Sequence, residues 1–368
     1  MKTAAAALAA LSMVALAARP QDEPKYPTLA VGSPAVDFDL PGTDGKNHAL
    51  KDFAQSKLLL VIFDTAHCPT SQAYTGRIKK VVEDYKEKGL AVVAISPSHP
   101  GAVRLDELGY TDLDDSFESM KIRSKHEQLP YPFLFDGEPN KVSMAYGPKA
   151  TPHCFLFDAD RKLRYTGRID DAEKIERVKV HDLRNAIDAL LSGKEPPVTV
   201  TRAMGCSTKW PFKQAEVAKY NEKIQKEPVT IDSADAAAVK DLRKSDSGKL
   251  RLLHVWSTAD ASQLKTVCTI NHWYRRRNFQ LATVAIAPAE KRDDLLAALK
   301  KDFPPASNRN LLVGEKDAVR EALDSGWDGT LPYTLLVSAT NEVLYKKAGA
   351  VDDLELKRAI VKNLKADR

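Results

Sequence analysis

A cysteine placed directly after a buried strand has the clearest potential for chemistry in this chain. Residues 58–63 are an unbroken apolar run, typical of a strand buried on both faces of a sheet. Helical periodicity over 71–88, ending at Gly89, places Cys68 at the start of a helix. Free amides at a helix N-terminus stabilise a thiolate and lower the pKa of a cysteine there. Cys68 is therefore the candidate nucleophile.

The other cysteines are candidates for a second redox thiol. Cys154 and Cys206 are each a candidate resolving cysteine, meaning the thiol that attacks oxidised Cys68 and forms a disulfide with it. A buried, inert thiol is the alternative role for either residue. Cys268 falls inside a predicted helix and is predicted to lie in a core. Ser71, three positions after Cys68, can hydrogen-bond a thiolate but cannot release a mixed disulfide.

Two histidines, His67 and His153, each precede a cysteine. A histidine–cysteine pair from both dipeptides could bind copper or zinc, but the spacing is not that of a ligand set, so we predict no metal and no cofactor. His67 is instead interpreted as a residue that stabilises the Cys68 thiolate. Asp64, at the end of the strand, could relay a proton or cap the turn.

Charge and length limit the other possibilities. The 368 residues, 43% of them apolar, are enough for two domains. The net charge of +5 is spread over alternating acidic and basic residues, which disfavours a nucleic-acid partner. We interpret the basic cluster 275–277 as a solvated helix end and the acidic run 112–115 as a solvated helix cap.

The N-terminus has the features of a secretory signal. Residues 1–18 combine a short basic start, an apolar run and a small-residue exit, and the run is too short for a membrane anchor. We therefore expect export to the periplasm or the extracellular space, without a membrane anchor. The alternative is an alanine-rich N-terminal helix of the mature fold.

The order of elements repeats along the chain. Residues 58–96 read strand, helix, strand, which implies a right-handed crossover and parallel pairing. The long charged segment 99–128 is predicted to be an insertion that flanks the active-site face. A proline begins a later strand in each half, and Pro152 and Pro332 are each followed 13 residues later by a tyrosine. Two tandem units of one fold account for this repeat.

The motifs together resemble the thioredoxin superfamily and, within it, the redoxin proteins related to alkyl hydroperoxide reductase and thiol-specific antioxidant. The resemblance covers about residues 28–210 and is carried by 67–74, Thr151-Pro152, 157–171 and 205–210. It implies an α/β fold of two tandem thioredoxin-like units, each a central mixed β-sheet flanked by helices. It also implies a cis Pro152 beside the cysteine, with Thr151, Pro152, His67 and Pro69 forming a substrate-binding surface.

Within this resemblance, Thr65 stands three positions before Cys68, where peroxiredoxins have the threonine that orients the peroxide. Cys68 would then become a sulfenic acid, with Thr65 and Ser71 as its catalytic neighbours. The chain departs from that pattern at Val61, where the family has proline, and sequence alone identifies no active-site arginine.

The second unit has lost these residues. Asp260 stands where the nucleophile would be and Gln263 at its partner's place, which excludes dithiol chemistry there. We predict a signal peptide at 1–18, a redoxin unit at 28–213, a linker at 214–230 and a redox-inactive unit at 231–368, the last able to bind a protein client.

The predicted function is that of an exported thiol-dependent oxidoreductase with antioxidant activity, which reduces peroxides or exchanges protein disulfides at the expense of an external thiol. The alternatives are a non-catalytic protein that binds clients or partners, and a copper-binding redox protein. Thiol reactivity separates them, because a low pKa at Cys68 favours an enzyme.

Overall fold

The computed structural model describes residues 26–137, 140–244 and 247–364. The predicted signal peptide, 1–18, lies outside the described residues. Two mixed β-sheets flanked by helices, one in each half of the chain, confirm the predicted fold class. Within the described ranges, no helix combines the length and apolar character that a membrane crossing requires.

The N-terminal sheet is built around an apolar strand. Its strands are β3 (Leu58–Phe63), β4 (Leu90–Ser96), β5 (Phe133–Phe135), β7 (His153–Phe157) and β8 (Leu163–Gly167), in the order β5-β4-β3-β7-β8. Strand β3 lies at the centre, parallel to β4 and antiparallel to β7. All six of its side chains are buried because both faces of the sheet are covered, as the unbroken apolar run predicts.

Helices and two small ladders complete this half. The helices are α1 (Pro69–Tyr85), α2 (Phe117–Glu127), α3 (Lys141–Tyr146), α4 (Asp182–Leu191) and α5 (Gln214–Gln225). The ladders pair β1 (Asp39–Pro41) with β2 (Asn47–Ala49) and β6 (Ala150–Thr151) with β9 (Cys206–Ser207). Helix α5 lies inside the range predicted as a linker, 214–230.

The C-terminal sheet repeats this plan with an additional short edge strand. Its strands are β10 (Asp232–Ser233), β11 (Leu250–Trp256), β12 (Phe279–Ile286), β13 (Arg309–Val313), β14 (Tyr333–Val337) and β15 (Val343–Ala348), in the order β10-β13-β12-β11-β14-β15. Its helices are α6 (Ala236–Arg243), α7 (Leu264–Tyr274), α8 (Arg292–Lys301), α9 (Lys316–Leu323) and α10 (Asp353–Leu364). The peptide bonds before Pro152 and before Pro332 are both cis.

The insertion 99–128 joins the two halves. Leu108 is buried in the core of the C-terminal unit, and the Tyr274 hydroxyl donates to the Thr111 carbonyl at 2.8 Å. Arg276 and Arg277, expected in a solvated cluster, instead contact this insertion, at the Asp106 carboxylate and the Gly109 carbonyl. The C-terminal unit therefore holds the insertion in place by packing and by hydrogen bonds.

Candidate active site

Cys68 lies at the junction of β3 and α1, where it caps the helix. Its Sγ accepts a hydrogen bond from the Ser71 amide at 3.4 Å, and Pro69 is the first helical residue. In its protonated form the thiol donates to the carbonyl of Thr151 at 3.1 Å, and this hydrogen bond is lost when Cys68 ionises. Cys68 is fully buried, so an attacking molecule reaches its sulfur only through the neighbouring side chains.

Cys206 lies against Cys68 because a short ladder brings it there. In the β6–β9 ladder Thr151 pairs with Cys206, and the carbonyl of the same Thr151 lies 3.1 Å from the Cys68 sulfur, so the two cysteines are neighbours. Both cysteines are free thiols, and Cys206 is partly exposed. Gly205 permits this approach: its φ is +144°, and a Cβ there would lie 1.9 Å from the Thr151 carbonyl oxygen.

The surroundings of Cys68 favour its thiolate. Burial opposes ionisation, but the Cys206 thiol, the amides of Ser71 and Cys206 and the charge of His67 outweigh it and lower the pKa of Cys68 to about 5. The same thiol–thiolate contact raises the pKa of Cys206 far above its ordinary value. Near neutral pH the pair therefore consists of a Cys68 thiolate and a Cys206 thiol that donates to it.

A buried ion pair lies behind the nucleophile. The His67 Nδ1 is 2.5 Å from the Asp115 Oδ2, and the His67 amide donates to the Asp115 Oδ1 at 3.0 Å. Burial disfavours the imidazolium, but the facing Asp115 carboxylate outweighs burial and raises the pKa of His67. Burial also opposes the Asp115 carboxylate, yet His67 and the amides of His67 and Ala66 lower the pKa of Asp115. The cationic form of His67 is therefore favoured next to the Cys68 thiolate.

The placement of Asp115 corrects the sequence interpretation. We predicted a solvated cap over 112–115, yet Asp115 is fully buried and only Asp114 lies at a helix start, where its carboxylate accepts from the amide of Ser116, the N-cap of α2. Asp112 forms an ion pair with Arg358 of α10. One acidic run thus supplies three different roles, and the sequence carries no signal that separates them.

An arginine near the turn was also missed by sequence reasoning. Arg123 of α2 is buried, donates to the Thr65 carbonyl and lies 3.2 Å from Asp64. It therefore holds the backbone of the turn and neutralises the buried Asp64 carboxylate. The positive charge that acts on Cys68 comes instead from His67.

The predicted hydroxyl groups are buried in and next to the turn that holds Cys68. The Thr65 Oγ1 and the Thr151 Oγ1 are 3.2 Å apart, and both residues are fully buried. The Ser71 hydroxyl is buried and has no hydrogen-bond partner among the described residues. The structure thus brings the Thr65 and Thr151 side chains into contact, while the Ser71 amide and the Thr151 carbonyl contact the Cys68 sulfur. The catalytic roles of these residues stay predictions.

Two other candidates do not reach the site. Cys154 pairs with Ile62 inside the sheet and lies in the core, where burial raises the pKa of its thiol. Both ring nitrogens of His153 are engaged, one by the Lys149 amide and the other by the Thr166 hydroxyl, so neither is open to a metal. In the described part of the chain, no three His, Cys, Asp or Glu side chains are grouped to hold a metal ion.

Comparison with known proteins places this geometry in a family. Residues 30–187 match the family model described as Redoxin. Among curated proteins no match is found. Several solved structures are similar to half of the chain or less.

One of these is a hypothetical protein from Sinorhizobium meliloti 1021, which is 34% identical over 50% of this chain and 96% of that chain, with a TM-score of 0.44. An uncharacterized conserved protein from Geobacillus kaustophilus is 31% identical over 49% of this chain and 92% of that chain, also with a TM-score of 0.44. The peroxidoxin BcpB from Mycobacterium tuberculosis is 18% identical over 37% of this chain and 83% of that chain, with a TM-score of 0.30.

Proposed function

Because residues 30–187 belong to the redoxin family of the thioredoxin superfamily, we propose that this thiol oxidoreductase is a peroxidase in which Cys68 reacts with peroxide and Cys206 resolves it. The observation that carries the proposal is the β6–β9 ladder, which pairs Cys206 with Thr151 and so places it beside the low-pKa Cys68.

A small oxidant suits the site better than a protein disulfide. The edge of β6, next to the cis proline, is where an extended protein substrate would pair. Here β9 of the same chain occupies that edge, and Cys206 stands where a substrate cysteine would come. Cys68 is fully buried, which admits a peroxide more readily than a polypeptide. The same occupied edge disfavours the alternative of client binding at this groove.

The first chemical step oxidises Cys68. Its thiolate attacks one oxygen of the peroxide, the O–O bond breaks, and the departing oxygen takes a proton to leave as water or an alcohol. Cys68 becomes a sulfenic acid. The His67 imidazolium supplies positive charge beside the reacting sulfur, and the hydroxyls of Thr65 and Thr151 are placed to hydrogen-bond the peroxide.

The second step forms a disulfide. Cys206 attacks the Cys68 sulfur, the S–O bond breaks, and the hydroxyl leaves as water with the proton of the Cys206 thiol. Oxidation of Cys68 removes the thiolate charge that raises the pKa of Cys206, so Cys206 becomes easier to ionise at the moment it must react. Two equivalents of an external thiol then return both cysteines to the reduced state.

We also propose that the protein is exported and acts as an antioxidant outside the cytoplasm. The apolar segment of residues 1–18 motivates this part of the proposal. Mass analysis of the N-terminus of protein recovered from periplasm and medium tests it, and an intact Met1 on cytoplasmic protein alone would contradict it.

The deciding experiment is intact-mass analysis after stoichiometric hydrogen peroxide in the presence of a sulfenic-acid trap. The wild type is expected to lose two hydrogens as a Cys68–Cys206 disulfide forms, whereas Cys206→Ser accumulates the trapped adduct on Cys68. Cys68→Ser is expected to stay unmodified. Cys154→Ser and Cys268→Ser are matched controls, because both thiols are buried in cores away from the site. An unreactive Cys68 in folded wild-type protein would refute the peroxidase function.

A further inference from the structure

We propose that the cleft over Cys206 binds the carboxylates of the small thiol that reduces the Cys68–Cys206 disulfide, and that Arg276 and Arg277 of the C-terminal unit contribute to this site. The inference rests on the proposed function and adds to it the chemical class of the reductant.

The cleft, with a volume of about 320 Å³, opens directly beside the reactive pair. His67, Pro69 and Cys206 line its inner part, while Cys68 is not among the lining residues. An incoming thiol therefore meets the sulfur of Cys206 first. Both units contribute to the walls, so the C-terminal unit completes the site although it lacks a redox cysteine of its own in the corresponding turn.

Positive charge exceeds negative charge in this cleft. Its lining includes four cationic side chains and two carboxylates, namely Arg104, Lys209, Arg276, Arg277, Asp106 and Glu107. The carboxylates are already engaged. Asp106 is shared by Arg104 at 3.1 Å and Arg276 at 2.6 Å, and Glu107 pairs with Lys209 at 2.7 Å.

Arg277 is the cation without a carboxylate. Its Nη1 donates to the Gly109 carbonyl at 3.0 Å, and its guanidinium lies 4.1 Å from the centre of the Tyr110 ring. Within the described residues it forms no ion pair. Arg276 shares its single carboxylate with Arg104 and is exposed at 60% of its side chain, which leaves donors available to a ligand. An arginine fork is well suited to bind a carboxylate.

Oxidation of Cys68 and Cys206 to a disulfide strengthens the attraction between the cleft and an anionic thiol, at the stage when the reductant must bind. Reduced protein holds the negative Cys68 thiolate next to the cleft, whereas the disulfide is neutral. Oxidation thus makes the cleft more positive. Reduction restores the negative charge and favours departure of the anionic product.

The exposure of Cys206 and the low pKa of Cys68 determine which sulfur the external thiol attacks and which one leaves. The external thiolate attacks the Cys206 sulfur, the Cys68–Cys206 bond breaks, and its electron pair leaves on Cys68 as a thiolate. Cys68, whose pKa is lowered to about 5, is the better leaving group of the two. The external thiol is then held in a mixed disulfide on Cys206, inside the cleft, until a second thiol releases it as the external disulfide.

The test compares glutathione with its diethyl ester, because the two share one thiol and differ in their carboxylates. Whole protein is oxidised with stoichiometric peroxide, freed of excess oxidant and reduced under pseudo-first-order conditions, with free thiols counted by quenched alkylation. We expect the wild type to react about tenfold faster with glutathione than with the ester at low salt, given about 0.2–1 kcal/mol for each exposed charge pair. The preference should fall at high ionic strength.

In the double variant Arg276→Gln/Arg277→Gln, the ratio of the reduction rate with glutathione to that with the ester should fall to near unity. In Arg277→Glu the ester should react faster than glutathione. Arg275→Gln is the matched control, since Arg275 is exposed on the same helix end but pairs with Glu227 outside the cleft. The ratio of two thiols within one variant is insensitive to a change in the amount of folded protein. Equal rates in the wild type, or an unchanged ratio in the double variant, would overturn this inference while leaving the peroxidase intact. Failure of the disulfide to form would instead refute the proposed function, and this inference with it.

Discussion

The turns that follow β3 and β11 occupy equivalent places in the two units, yet they use their central residue in opposite ways. Cys68 accepts a hydrogen bond from the Ser71 amide at 3.4 Å, and its surroundings, the neighbouring Cys206 included, lower its pKa to about 5. Asp260 uses its carboxylate to close its own turn, accepting from the Ser257 amide at 3.1 Å and the Ser257 hydroxyl at 2.6 Å. The same backbone thus supports a nucleophile in one unit and a cap in the other.

The residue three positions after the central one also differs between the two turns, being Ser71 after Cys68 and Gln263 after Asp260. Gln263 accepts a hydrogen bond from the Val351 amide at 3.2 Å, which ties the C-terminal turn to the start of α10. Cys268 is buried within α7, where burial raises the pKa of its thiol to about 12. The fold alone therefore does not produce reactivity, which needs a second segment to bring donors and charge to the turn.

Among the changes that test this comparison, removal of the His67–Asp115 ion pair should have the largest effect on the reactivity of Cys68. In Asp115→Asn, His67 loses the carboxylate that raises its pKa, so less positive charge remains near the Cys68 thiolate and the pKa of Cys68 rises. A rise of about one unit lowers the alkylation rate about tenfold below the new pKa. The pH profile of iodoacetamide alkylation, with a wild-type midpoint near 5, measures this.

Asp114→Asn is the matched control, because Asp114 belongs to the same acidic run but accepts from the amide and hydroxyl of Ser116, the N-cap of α2. It should leave the alkylation midpoint in place. A profile shifted equally by both variants would assign the effect to the loop rather than to the ion pair.

The variant Gly205→Ala tests whether strand β9, which carries Cys206 to Cys68, is needed for the chemistry proposed for the N-terminal unit. In Gly205→Ala the new Cβ would overlap the Thr151 carbonyl oxygen, so the ladder must open and Cys206 must move from Cys68. We expect disulfide formation to slow several-fold and trapped sulfenic acid on Cys68 to accumulate, as measured by mass spectrometry over time after peroxide. Gly193→Ala also introduces a side chain at positive φ, but in open space, and should not change the product. An unchanged disulfide rate in Gly205→Ala would show that the ladder does not position Cys206.

Asp260 should show the smallest effect and no effect on redox chemistry. Asp260→Ala removes the two hydrogen bonds to Ser257 and is expected to destabilise the C-terminal unit by about 1 kcal/mol. Urea unfolding measures the loss, and peroxide oxidation of Cys68 should keep its wild-type rate. A slower oxidation at equal folded fraction would mean that the C-terminal turn takes part in the chemistry.

The placements that sequence reasoning could predict are those that depend on a local environment. A buried strand, a helix start and the Thr151-Pro152 pair suffice to predict that Cys68, Thr65 and Ser71 lie near one another, as they do in the folded protein. The roles assigned to these residues remain predictions. Cys206 was one of two candidate resolving cysteines, and only the β6–β9 ladder separates it from Cys154, which lies in the core.

The residues that were missed act across long stretches of chain. Asp115 and Arg123 belong to a charged insertion whose pattern resembles a solvated surface, and Arg276 and Arg277 have the composition of a solvated helix end. Asp115 and Arg123 acquire their roles because other segments pack over them and bury them. Arg276 and Arg277 remain partly exposed and acquire theirs because the insertion brings Asp106 and Gly109 to them.

By itself the sequence determined the two tandem α/β units and the place of Cys68 between a buried strand and a helix start, because strand burial and helix capping depend on neighbours in the chain. Only the tertiary structure decided which thiol meets Cys68, which acid pairs with His67 and which basic residues line the entrance. Those choices depend on burial and on charges brought together from distant segments, and a pattern of residue types does not record such contacts.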